Sequence, residues 1–121
     1  MLNISEIYQQ FSLLSGLDME ETHEWSHLCV AADRDVEVML KDGVDMGAER
    51  ARLVIAVAAL AYYRYVMYQT ASDQTDSFDA GDIKVRYNKS AALAAAKEAC
   101  VSGMVSISGL IKDNGFAVRC T

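Results

Sequence analysis

The sequence predicts a mainly α protein: a bundle of about four helices, with a central apolar helix and a short β-strand or hairpin arm between helices three and four. Three observations carry this. Apolar residues recur every three or four positions along most of the 121-residue chain, which is the spacing of one helix face. Proline, which breaks helix interiors, is absent. A single segment, near residue 83, alternates with period two, as a half-buried strand does.

Each element follows from local chemistry. Ile4, Ile7, Tyr8, Phe11 and Leu14 form an apolar stripe over residues 3–15, with Asn3 placed to cap its start and Gly16 to end it. Asp18 opens the second helix, with Glu21 three residues on as a capping-box variant. Trp25, Leu28, Cys29, Ala32, Val36, Met39 and Leu40 then share one face as far as about residue 41, and Gly43 closes the segment.

The third helix, about 47–70, is apolar all round. Leu53 to Tyr63 reads LVIAVAALAYY and is interrupted at Arg64. A membrane span needs about 20 apolar residues, so this run is read as the buried centre of a bundle. Tyr62, Tyr63, Tyr65 and Tyr68 follow as core residues whose hydroxyls reach the rim.

Residues 71–82, ASDQTDSFDAGD, have the composition of a loop. In IKVRYN, Ile83, Val85 and Tyr87 alternate with Lys84 and Arg86, giving a strand with one dry and one wet face. A lone strand must satisfy its backbone groups, by a short hairpin, by the C-terminal tail or by a neighbouring subunit. The fourth helix starts near Ser90 and carries Leu93, Ala96, Cys100, Met104, Ile107 and Ile111 on one side. Asp113-Asn114-Gly115 signals a turn, and an extended tail follows. No linker divides the chain, so residues 1–121 are read as one helical domain with an arm at about 71–88.

Composition bounds the function. With 52% hydrophobic residues the chain can bury a core without metal or disulfide staples. Seventeen acidic residues against eleven basic ones give a net charge of −6, the wrong sign for a general nucleic-acid binder. Cys29, Cys100 and Cys120 are widely spaced and odd in number, which reads as free thiols in a reducing cytoplasm. The segment MLNISEIYQQF has no basic region followed by an apolar core, so it is not read as a secretion signal.

One motif points to chemistry. His23, Glu24 and His27, in HEWSH, fit H-E-x-x-H, in which two histidines one turn apart hold zinc while the glutamate takes a proton from the bound water. A catalytic zinc needs a third protein ligand, and the chain has only these two histidines. Glu49 is the nominee, with no supporting pattern around it. Trp25 and Leu28 set the buried stripe and leave the histidines at its border. The motif is therefore read as incidental, with a small zinc-dependent hydrolase as the alternative. Asp79 and Asp82 flank Gly81 without the spacing of a calcium loop. No catalytic residue, metal or cofactor is expected.

The second half carries a resemblance. YYRYVMYQTASDQTDSFDAGDIKVRYNKSAALAAAKEA and the later DNGF resemble the small helical head–tail connector (adaptor) proteins of tailed phages and prophages. The likeness is one of ordered parts over about residues 53–116. An alanine-rich helix ends in a Tyr/Arg-rich turn at Tyr62–Tyr65, and a loop and alternating strand run from Phe78 to Tyr87. A second alanine-rich helix follows, then an acidic turn and phenylalanine at Asp113 to Phe116.

The resemblance implies a non-enzymatic protein that assembles as a homo-oligomeric ring between portal and tail components. It implies cytoplasmic expression in a bacterial host and a place in the virion of an active phage. No specific nucleic acid and no membrane are expected as partners. Subunit contacts are expected from Phe78, Asp79, Gly81, Asp82, Ile83, Val85 and Tyr87, because an exposed strand can add to a neighbour.

Overall fold

The computed structural model describes the backbone of residues 3–73 and 82–112, and the side chains of 3–70 and 91–112. These residues form α1 (Ile4–Ser15), α2 (Met19–Glu24), α3 (Ser26–Met39), α4 (Arg50–Asp73) and α5 (Asp82–Ser106), then a 3-10 turn at Ser108–Leu110. The helical bundle is as expected. Helix α4 lies at its centre and packs against α1, α3 and α5.

The first helix is built as its sequence requires. The Asn3 side chain accepts the Ser5 N–H at 3.0 Å, and Gly16 ends the helix at φ 76°, its N–H donating to the Ser12 carbonyl. A left-handed residue is cheap there because glycine has no Cβ to clash. Ile7 and Phe11 are fully buried against the core.

The single helix expected over 19–41 is two. Asp18 caps α2 by accepting the Glu21 N–H at 2.7 Å, but the chain leaves helical geometry at Trp25 (φ −101°, ψ 13°). There the Trp25 N–H donates to the Thr22 carbonyl and the Leu28 N–H to the Trp25 carbonyl, both i to i−3 bonds. Neither glycine nor proline lies at the break. The half-buried indole meets the Tyr65 ring of α4 edge-on, with centroids 4.9 Å apart. That contact is tertiary, so the local pattern does not reveal it.

The LVIAVAALAYY helix is buried almost all round: among these eleven residues, Ile55 is the one exposed (48%) and Tyr62 is half-buried. Its packing on α5 is close. A Cβ added to Gly103 would lie 3.1 Å from the Ala56 Cα, so the absence of a side chain is what lets the two backbones meet.

The strand is corrected. Asp82, Ile83, Val85 and Tyr87 lie in the first turns of α5, and among the described residues there is no strand. Helix nucleation is costly and elongation cheap. An alanine-rich helix can therefore extend backward through IKVRYN, which satisfies backbone groups that a lone strand would leave open. Ile83 and Tyr87 fall one turn apart on this helix, out of phase with Val85. The remaining arm residues Phe78, Asp79 and Gly81 lie outside the described residues, as does the turn and tail after Lys112.

Extended pairing occurs elsewhere. Leu40 and Ile111 form an isolated antiparallel bridge. The Lys41 N–H donates to the Leu110 carbonyl and the Lys112 N–H to the Met39 carbonyl, both at 2.8 Å. This bond pair ties the end of α3 to the end of the 3-10 turn at Ser108–Leu110. Cys29 is a free, buried thiol, and burial pushes its pKa up to about 12. Cys100 is disulfide-bonded, so the free-thiol reading fails at that position.

Candidate functional site

The HEWSH residues do not share one helix. His23 and Glu24 end α2 and His27 belongs to α3, with the break at Trp25 between them. All three side chains are exposed, and the His27 ring stacks on Trp25 at 6.1 Å. The i, i+4 register that zinc requires is therefore interrupted within the motif. Glu49, the nominated third ligand, is ion-paired with Arg52. Among the described residues, no group of three His, Cys, Asp or Glu side chains is placed to hold a metal.

A different surface was not foreseen. The outward face of α3 and the adjoining edge of α4 form two shallow depressions that share His27 and Ala31. One is lined by Val30, Arg34, Asp35 and Val38. The other reaches Arg64, Met67 and Tyr68. Val38 is 73% exposed and Tyr68 58%, so the face offers apolar area to solvent. The Arg64 guanidinium donates to the Asp35 carboxylate at 2.6 Å and joins the two helices across the groove.

The sequence held one signal for this face. Val30, Arg34 and Val38 follow at i, i+4 and i+8, out of phase with the buried Leu28, Ala32, Val36 and Met39. Valines on the wrong side of an amphipathic helix need another explanation than the chain's own core.

An aromatic cluster borders the groove. Besides Trp25, Tyr65 meets Phe11 edge-on at 5.8 Å and stacks with Tyr62 at 6.4 Å. Burial raises the Tyr65 pKa, and the nearby Glu21 carboxylate adds to the shift. Trp25 also lies 6.4 Å from Tyr68, so the cluster runs without interruption into the groove.

Two buried polar groups lie on α2 and α3. The Thr22 hydroxyl is enclosed without a hydrogen-bond partner among the described residues. Asp33 is only 4% exposed, and burial, followed by the Glu37 charge, raises its pKa.

No family model, no curated protein and no solved structure matches this chain. Among the described residues, no helix is long and apolar enough to cross a membrane.

Proposed function

We propose that this chain is a structural interaction protein of the head–tail connector kind, acting by contacts with its own copies and with portal and tail components. It carries out no reaction. The observation that supports this reading best is the exposed apolar groove between α3 and α4, because apolar area left in water on a well-packed helical body marks a docking surface. The order of alanine-rich helices also supports it: α4 carries the Tyr/Arg-rich segment Tyr62–Tyr65 in its second half, and α5 follows it. The alternating strand no longer contributes to the likeness; the subunit contacts from Phe78, Asp79, Gly81, Asp82, Ile83, Val85 and Tyr87 remain part of the proposal, with Asp82–Tyr87 acting from a helix.

The test is reconstitution with portal and tail proteins of a tailed phage or prophage. A stable complex with the portal, seen as added density at its tail-facing end by electron microscopy, is the expected result. No binding to portal or tail proteins overturns the reading. So does a zinc-dependent hydrolytic activity that disappears in His27→Ala.

A further inference from the structure

Two surfaces of opposite charge lie at the ends of one face. Before Arg34 the chain has no lysine or arginine at all. At the start of that stretch's second helix, Asp18, Glu20, Glu21 and Glu24 are all exposed, with Met19 (55% exposed) among them. Among the described residues none of these four carboxylates is in an ion pair, and the neighbouring Asp18 raises the Glu21 pKa most, with Glu24 and Glu20 pushing the same way.

The groove has the opposite balance. Its lining holds two guanidiniums, Arg34 and Arg64, against the one Asp35 carboxylate. Arg64 is paired with Asp35, while Arg34 is exposed and makes no ion pair among the described residues. Around it Val30, Ala31 and Val38 supply apolar area. The two ends are continuous. Trp25 follows Glu24 directly in the chain and stacks on His27, and His27 lines the groove.

We propose that this face binds a second copy of the chain, the acidic α2 corner of one copy seated against the apolar, Arg34-bearing groove of the other. Two copies of a chain with a net charge of −6 repel each other in most orientations. The proposed register is one that brings unlike charges together and covers Val30 and Val38 at the same time. A two-fold arrangement satisfies both ends of the face in one contact, and a head-to-tail arrangement satisfies one end per contact and propagates into a ring. The inference rests on the reading that this chain works through contacts with its own copies, and adds which surfaces meet.

Sedimentation velocity of the full chain over a range of concentrations tests it. Wild type is expected to self-associate, and to do so less as salt rises. Arg34→Glu, and separately the pair Glu21→Lys with Glu24→Lys, are each expected to weaken association at least about tenfold, because like charges then face each other. These positions are exposed, so folding is retained, and circular dichroism checks it. Mixing the two variants restores association, since acidic groove then meets basic corner.

A wild type that stays monomeric at every accessible concentration overturns the proposal. So does an Arg34→Glu protein that associates like wild type, or a mixture that fails to recover. The connector reading is judged apart from this. A closed two-fold dimer supports the present inference and counts against a ring. A ring that binds portal and ignores Arg34→Glu does the reverse.

Discussion

The contact between α4 and α5 and the outer face of α3 are made from similar residues put to opposite uses. Along α4, Leu53, Ala56, Val57 and Leu60 are fully buried, and α5 answers with Ala96, Cys100, Gly103 and Met104, also buried. Small residues there bring backbones together, so close packing rather than size supplies the stability. On α3, Val30 and Val38 stand in water beside Arg34. Hydrophobicity at a position therefore says little about where the residue ends up. Its phase relative to the neighbouring helices decides whether it holds the fold together or is left to meet another molecule.

Truncation in the core breaks this contrast most sharply. Leu60→Ala, at a fully buried position of α4, is expected to cost about 2–5 kcal/mol through lost burial and a cavity. Urea denaturation measures it, and a loss under ~1 kcal/mol would mean that α4 is less central than its packing indicates.

Overfilling the same contact comes next. Gly103→Leu must displace the Ala56 backbone, since even a Cβ would come within 3.1 Å of the Ala56 Cα. A backbone atom gives way less readily than a side-chain tip, so the expected cost is about 3 kcal/mol, read as a lowered Tm. Gly103→Ala should cost less, because better helix propensity offsets the overlap by about 1 kcal/mol.

Asp33 sharpens the comparison by pH. Its pKa is raised in the folded protein by burial and by Glu37, so the folded state holds this proton more tightly than the unfolded state. Its contribution is most favourable below the ordinary carboxylate pKa, about 3.9, and is lost as pH rises through the higher folded value. Asp33→Asn should therefore raise stability near neutral pH and remove that part of the pH dependence. Thermal melts of both proteins from acid to neutral pH measure it. An unchanged slope would place the pH dependence on other groups.

The smallest effect belongs to the outer face. Val38→Ser removes apolar area that is already in solvent, so its stability should stay within about 0.5 kcal/mol of wild type. Self-association should weaken at the same time. A fall in Tm as large as that of a core variant would show that Val38 belongs to the fold.

Much of the helical layout was legible because its signals are local. Asn3, Asp18 and Gly16 cap where their side chains or their lack of a Cβ allow, and the run at Leu53–Tyr63 could be satisfied only by burial on nearly every side. The candidate surface was legible only in part, through Val30 and Val38 in the wrong phase. HEWSH was read as incidental, and the break at Trp25 removes the unbroken helix its spelling assumes; IKVRYN misled because period two over six residues competes with a helix that can simply grow into it.

By itself, then, the sequence determined that this is a helical protein, where its first helix begins and ends, and which helix is enclosed by the others. Each depends on contacts within a few residues or on hydrophobicity averaged over a long run. The tertiary structure decided the break at Trp25, the helical state of Ile83–Tyr87, the Leu40–Ile111 bridge and the solvent-facing groove beside Arg34. All of these are set by how distant segments pack, and packing geometry leaves no period in the chain that sequence spacing could reveal.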